Sequence, residues 1–497
     1  MIVNHIINGV ESPNLETHST SPIYNPATGE HIRDVVLADT ATREHAIASA
    51  EAALPAWRAT GMAKRSHIMF KLREIITSRS EELARIISEE HGKTLADAHG
   101  EITRGLENVE FCAGLTHHMK GEYLQQAAHG IDVHQSRQPL GVVACITPFN
   151  FPAMVPLWMI TTAIAAGNTV ILKPSEKDPS AANWIAAAFR DAGLPDGVLN
   201  VLHGDQHTVE YLLETPRVKA ISFVGSTPVA KAIYSSASAA GKRVQALGGA
   251  KNHMVVMPDA DLDAAADAAI SAGFGSAGER CMAISVVVAV GSIADELVEK
   301  IVQRAHQITL GVYDDPKADM GPVITRQSLE RITTFVAEAE KHGATVVVDG
   351  RDWDRTHLNP NGYFIGPSII DHVSAGMPCY DEEIFGPVLC IARVDNYAQA
   401  LEMINSNPYA NGTAIFTRDG RTAREFEVGI EVGMVGINVP IPVPIGAFSF
   451  GGWKNSLYGD THMYGPESFH FYTRRKVVTT RWPLPDESQI NLGFPTN

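Results

Sequence analysis

Beyond Gly141 the chain alternates short β-forming runs, VVACIT, TVILK, VLNVLHG and AISFVG, with helical stretches such as residues 181–192. Parallel strands must be joined by long crossovers, so this alternation implies a parallel sheet covered by helices. A second series starts near Asn252, where HMVVM, SVVVAVG and ATVVVDG are interleaved with Ala- and Glu-rich helical segments. Two open α/β lobes are therefore expected, with the boundary near residues 248–251. A length of 497 residues agrees, since it exceeds what one hydrophobic core usually supports.

Other segments frame those lobes. IYNPATGEHIRDVV, residues 23–36, places Asn-Pro and Thr-Gly between apolar flanks and reads as a turn joining two strands. In residues 40–93, Ile68, Leu72 and Ile76, then Leu83, Ile86 and Ile87, recur at the spacing of amphipathic helices. Residues 131–137 and the tail FHFYTRRKVVTTRW, residues 469–482, read as strands belonging to neither lobe. A β-forming tail after a complete domain is an open edge, and a neighbouring subunit is the usual partner, so an oligomer is expected.

Composition removes several classes of function. A formal net charge of −16 lacks the basic footprint that nucleic acid requires. Five cysteines in odd number and without C-x-x-C spacing speak against disulfides and zinc. The N-terminus shows no basic stretch followed by an apolar region, and no run of about 18 apolar residues occurs, so a soluble cytoplasmic protein is expected.

Candidate chemistry gathers at segment ends. Cys281 sits in GSAGERCMA, after an Ala-rich helix and before the strand SVVVAVG, at the mouth of a Gly-containing loop. Arg280 beside it would favour the nucleophilic thiolate, although a lone cysteine also reads as a small buried hydrophobe. PFNFP, residues 148–152, puts Asn150 at a strand's C-terminal end, where ligands collect, either as an oxyanion donor or as a turn residue. TVILKPS delivers Lys173, with Glu176 following, to a second strand end; both suit ribose hydroxyls. FVGST delivers Ser226 and the start of a helix, suited to phosphate, although the G-x-G-x-x-G fingerprint is missing.

Together these segments resemble the aldehyde dehydrogenase superfamily over nearly the whole chain. IYNPATGE, PFNFP, LKPSE, FVGST, LGGAKN, the Cys281 loop, EEIFGPVL and FGGWKNS occur in family order. The resemblance implies an α/β aldehyde-dehydrogenase-like fold, two open lobes with a small β oligomerisation arm. The NAD-binding domain would take residues 1–120 and 141–248, the catalytic domain 249–467, and the arm 121–140 and 468–497. It implies Cys281 as nucleophile and Asn150 as oxyanion donor. Lys173 and Glu176 would hold the adenosine ribose, Ser226 the pyrophosphate, and Glu383 with Phe385 the nicotinamide end. Thr147, Phe149, Lys177 and Gly248 complete the cofactor set. A carboxylate at Glu176 favours NAD over NADP. No metal is implied, and the family habit is a homotetramer built as a dimer of dimers.

Two departures narrow the resemblance. Hydrolytic members look like E-L-G-G-K where this chain reads A-L-G-G-A-K, which puts Ala246 in place of the general-base glutamate. A second family acid aligns with Thr461. Without a base to activate water, a thiol such as CoA is the expected acyl acceptor. GAKNH, GSAGERCMA and TRGLENVEF resemble the methylmalonate-semialdehyde subfamily, in which two arginines grip the substrate carboxylate; Arg104 and Arg280 match them. The bland reading of Arg104 is a helix-surface salt bridge to Glu101 or Glu107. The implied reaction is NAD-dependent, CoA-acylating oxidation with loss of carbon dioxide, giving propionyl-CoA or acetyl-CoA. A hydrolytic dehydrogenase and a non-catalytic protein of the same fold are the rival readings.

Overall fold

The computed structural model describes residues 2–17 and 19–484. Two open sheets form its centre. The first sets Arg243–Leu247, Val218–Val224, Val142–Ile146, Thr169–Lys173 and Leu199–Val201 side by side, all parallel. Val142–Ile146 and Thr169–Lys173 are buried along their whole length, which is why they read as continuous apolar runs rather than alternating ones. From Val142–Ile146 the chain builds outward to Leu199–Val201, then returns to the other side for Val218–Val224 and Arg243–Leu247. Such a reversal opens a crevice beyond the C-terminal ends of the strands.

The second sheet runs Thr345–Val348, Ser368–Asp371, Val388–Val394, Ile284–Val290, Asn252–Val256, Gly412–Phe416 and Met434–Ile437. It is parallel except for its first pair. Only residues 248–251 separate Leu247, the last residue of a strand in the first sheet, from Asn252, the first residue of a strand in the second. Cys281, just before the second sheet's strand Ile284–Val290, lines the same cleft as Ile146, Lys173 and Val224 at the first sheet's strand ends, so the C-terminal edge of one sheet faces the N-terminal edge of the other.

A third, antiparallel sheet joins Glu122–Ala128, Ile131–Pro139 and Thr473–Arg481. Here the expectation for the tail is corrected twice. Residues 469–471 are not strand: Pro466–Phe471 is a helix, started by a proline whose missing N–H suits the first turn, and Phe469 and Phe471 are fully buried. The strand that follows is not unpartnered either, since Thr473–Arg481 pairs along its whole length with Ile131–Pro139 of the same chain. Residues 485–497 of the expected arm lie outside the described residues. The opening hairpin is present as Thr20–Asn25 against Glu30–Val36, and helices Thr40–Ala59, Met62–Ser78 and Ser80–His91 fill residues 40–93 as the periodicity predicts. No helix among the described residues is long and apolar enough to cross a membrane.

Asn168 fastens the tail to the first sheet. Its buried side chain accepts from the N–H groups of Leu140 at 2.8 Å and Gly141 at 3.0 Å, and donates to the carbonyls of Ala163 and Tyr472, both at 3.0 Å. Asn168→Ala removes four hydrogen bonds from a site closed to water, strands the Gly141 N–H and leaves Leu140 and Tyr472 joined only by their own backbone contact at 3.4 Å. We expect a loss of about 3 kcal/mol, read as an earlier urea midpoint with an unchanged denaturant slope.

Candidate active site

The crevice holds two connected spaces. A cleft of about 800 Å³ lies against the C-terminal strand ends of the first sheet, and a cavity of about 560 Å³ adjoins the helix Leu95–Ala113. Cys281 lines both, so its thiol stands where the two meet.

All the expected cofactor-side residues come together along the cleft: Thr147, Phe149, Lys173, Glu176, Lys177, Ser226, Gly248, Glu383 and Phe385, with Asn150. Lys173 Nζ donates to Glu176 at 3.1 Å. Burial is the largest single influence on the Glu176 carboxyl and works to raise it, but the Lys173 ammonium, a backbone N–H and the Lys177 ammonium together outweigh it and hold the group below its usual range. The helix Thr227–Ala239 begins at Ser226, with no side chain capping its first N–H groups, which suits an anion at the helix dipole's positive end. The Thr147 hydroxyl is buried without a partner at the cleft wall. Lys177 Nζ lies 4.6 Å from the centre of the Phe149 ring, and Phe149 meets Phe385 edge-on at 5.8 Å. Glu383 accepts the Ala250 N–H at 3.0 Å, and a side chain at Gly249 would run into its carboxylate at 2.3 Å. Burial lifts the Glu383 carboxyl to about 7. These donors, acceptors and aromatic walls fit a dinucleotide; among the described residues no His, Cys, Asp and Glu group could hold a metal.

The nucleophile loop is locally strained. Ser276, Ala277 and Gly278 all have positive φ, 53°, 52° and 72°, a conformation that costs a non-glycine residue about 1 kcal/mol or more. The turn brings Arg280 and Cys281 to the crevice. Arg280 acts on the thiol in the expected direction but only weakly, because its guanidinium is engaged with Asp97. Removal from water, and then the Glu383 carboxylate, push the Cys281 thiol up to about 12, with Arg280 opposing only weakly. Asn150 is buried and donates one side-chain N–H to the Glu279 carbonyl at 3.0 Å. Its second amide hydrogen remains for an oxyanion.

Arg104 and Arg280 both line the 560 Å³ cavity with Cys281. Arg104 also makes the salt bridge of the bland reading, to Glu107 at 2.6 Å, and donates to the Val443 and Pro444 carbonyls at 3.1 and 2.8 Å. The salt bridge is therefore present, and the residue also faces the cavity. Phe151, Met154, Trp158, Ile441, Val443 and Phe450 supply apolar walls.

Ala246 requires correction. Side chains alternate faces along a strand, and Ala246 packs in the core cluster of Ile233, Val244 and Phe223 and lines neither space beside Cys281. Leu247 is the residue on the other face, in the cluster of Met282 and Phe450 against which Cys281 packs. The position is apolar either way. Thr461 contributes a carbonyl to the Gln245 side chain. Residues missed in the sequence are Lys93, Asp97 and Glu101: each lines the cavity, yet as polar residues beside and within an amphipathic helix they carried no signal.

The profile of the aldehyde dehydrogenase family matches residues 14–478, and the chain belongs to that family. It is 52% identical over 496 residues to a malonate-semialdehyde dehydrogenase of Pseudomonas aeruginosa, covering 99% of both chains. A crystal structure of a methylmalonate-semialdehyde dehydrogenase from Oceanimonas doudoroffii superposes with a TM-score of 0.95 at 52% identity, over 98% of this chain and 99% of that one. A presumed methylmalonate-semialdehyde dehydrogenase of Sinorhizobium meliloti, complexed with NAD, gives 0.96 at 48% identity, again over 98% and 99%.

The charge of Glu383 has a measurable effect on the thiol. Above about pH 7 its carboxylate opposes thiolate formation, and below that it is neutral. Glu383→Gln should therefore speed Cys281 alkylation by iodoacetamide severalfold at pH 8.5 and hardly at pH 6. Equal acceleration at both pH values would show that the carboxylate's charge is not the cause.

Proposed function

We propose that this chain oxidises malonate semialdehyde and methylmalonate semialdehyde with NAD through a Cys281 thioester, and transfers the decarboxylated acyl group to CoA. The observation that carries this reading is the shared cavity of Cys281, Arg104 and Arg280. Two guanidinium groups beside a thiol suit a short aldehyde that bears a carboxylate. The names of the relatives support the same substrate class.

NAD would lie in the cleft and supply the hydride acceptor. Lys173 and Glu176 would hold its adenosine ribose, the helix start at Ser226 its pyrophosphate, and Glu383 with Phe385 its nicotinamide end. Phe149 and Lys177 would wall the middle, with Thr147 and Gly248 at the strand ends. The Glu176 carboxylate disfavours a 2′-phosphate.

Chemistry begins with the Cys281 thiolate adding to the aldehyde carbon, which places a negative charge on the former carbonyl oxygen. The free N–H of Asn150 is positioned to stabilise it. Arg104 and Arg280 hold the carboxylate, and loss of hydride leaves a thioester on Cys281. Because the carboxylate is β to the thioester carbonyl, carbon dioxide departs and leaves an enolate, which the same amide stabilises until a proton reaches the carbon. Release then needs an acceptor. Leu247 offers no base, and Asp97 and Glu101, the carboxylates lining the cavity, are each engaged by a cation. Water on the cavity side is therefore poorly activated, whereas a CoA thiol displaces Cys281 without a strong base.

Within this reading, residues 1–120 and 141–248 form the NAD-binding domain and 249–467 the catalytic domain of a cytoplasmic enzyme. The antiparallel sheet of residues 121–140 and 473–481 serves as the assembly arm of a homotetramer, a dimer of dimers. Exposed Tyr123, Leu124 and Val477 on that sheet support this role.

The deciding experiment follows NADH and products with malonate semialdehyde at varied CoA. Acetyl-CoA should form, and turnover should fall at least tenfold without CoA. Free acid released equally fast without CoA would refute the acylating reading. Arg104→Leu and Arg280→Leu should each lower kcat/KM for malonate semialdehyde by about 2 kcal/mol or more while sparing propionaldehyde. Equal losses on both substrates would exclude carboxylate recognition.

A further inference from the structure

Asp97 occupies the first turn of the helix Leu95–Ala113, after its N-cap Thr94, and lines the substrate cavity. Its carboxylate makes two connections to the nucleophile loop. One oxygen pairs with Nη2 of Arg280, and the other accepts the N–H of Ser276 at 3.1 Å. Ser276 is the first of the left-handed residues that turn the loop toward Cys281. One side chain thus holds both the arginine and the strained segment that presents the nucleophile.

The same helix carries Arg104, seven residues on. That is nearly two full turns, so Asp97, Glu101 and Arg104 project from one face about 10 Å from end to end. All three line the cavity. Arg104 is fixed to this frame by its own backbone, whereas Arg280 comes from the opposite lobe and reaches the frame only through Asp97. Five N–H groups surround a guanidinium, and Asp97 occupies one edge, leaving others for a ligand.

We propose that Asp97 is the positioning residue of substrate recognition: by holding one edge of Arg280 and the Ser276 N–H, it sets the distance between the carboxylate site and the Cys281 thiol. The inference rests on the carboxylate-recognition reading above and adds that an arriving carboxylate takes the remaining edge of Arg280 instead of displacing Asp97. Asp97 touches neither the substrate nor the reacting atoms in this role. It selects aldehydes by where it keeps Arg280.

Steady-state kinetics of the full-length enzyme with NAD and CoA, on malonate semialdehyde and on propionaldehyde, test this. Asp97→Asn keeps an acceptor for Ser276 but loses the charged partner of Arg280. It should raise KM for malonate semialdehyde roughly tenfold, the value of one charge-assisted hydrogen bond, with little change in kcat and little change of either constant for propionaldehyde. Asp97→Glu keeps the charge but displaces the guanidinium, and should give a milder version of the same split. An unchanged or lower KM for malonate semialdehyde in Asp97→Asn would mean that substrate displaces Asp97, and overturns the proposal. Equal losses on both aldehydes overturn it as well, because they show a role in the fold alone. If Asp97→Asn does not fold, Asp97→Glu decides: kinetics identical to wild type on both aldehydes reject the positioning role. A wild-type enzyme without preference for malonate semialdehyde overturns the carboxylate reading and this proposal together, whereas a wild-type preference that survives both substitutions overturns this proposal alone.

Discussion

A fully buried ion pair, Lys93 with Glu101, underlies the geometry of the crevice. Removing two charges from water is costly, and such a pair is tolerated only when the remaining hydrogen-bonding capacity is used. Here it is used on the site itself. Lys93 Nζ donates to Glu101 and to the Asn150 carbonyl, both at 2.7 Å, and lies 4.6 Å from the centre of the Phe151 ring. The other Glu101 oxygen accepts the N–H groups of Ala153 and Met154, at 2.7 and 3.1 Å, at the start of the helix Met154–Ala165. The loop that presents Asn150 is thus fixed at both ends by one carboxylate and one ammonium. Neither can move without stranding a charge in a low-dielectric interior.

That pair also explains which parts of the protein were legible in the sequence. Lobes, strand ends and the Cys281 loop announce themselves because a doubly covered parallel strand must be apolar throughout, and the polar residue that ends it stands out. Lys93, Asp97 and Glu101 do not stand out. Polar residues at the start of an amphipathic helix normally face water, and nothing local shows that this helix turns them toward a second lobe. Ala246 was misplaced for a different reason. A shift of one residue along a strand exchanges its faces, and a short Gly-rich match can slip by that amount without disturbing the surrounding apolar pattern. Arg280 differs in size rather than sign: adjacency in sequence to Cys281 suggests a charge effect whose strength only the position of the guanidinium decides, and its pairing with Asp97 leaves that effect weak.

Charge in the substrate cavity is balanced before any ligand arrives. Arg104 is paired with Glu107, Arg280 with Asp97 and Lys93 with Glu101. A carboxylate entering such a site gains little from net charge and much from directed N–H groups with apolar walls behind them. Recognition of this kind discriminates by geometry, since an anion of the wrong length meets the same neutral surroundings without the matching donors.

The Cys281 thiol is also held in reserve, since its pKa is pushed up to about 12 and the protonated form is favoured at neutral pH. Burial is the larger cause and Glu383 the second, and Glu383 lines the cleft. A hydrogen-bond donor that enters the cleft and engages the Glu383 carboxylate weakens the field that keeps the thiol protonated. The balance of protons on Cys281 is therefore tied to the contents of the neighbouring space. Placing the thiol at the junction of cleft and cavity, rather than deep in either, is what allows both spaces to act on one sulfur.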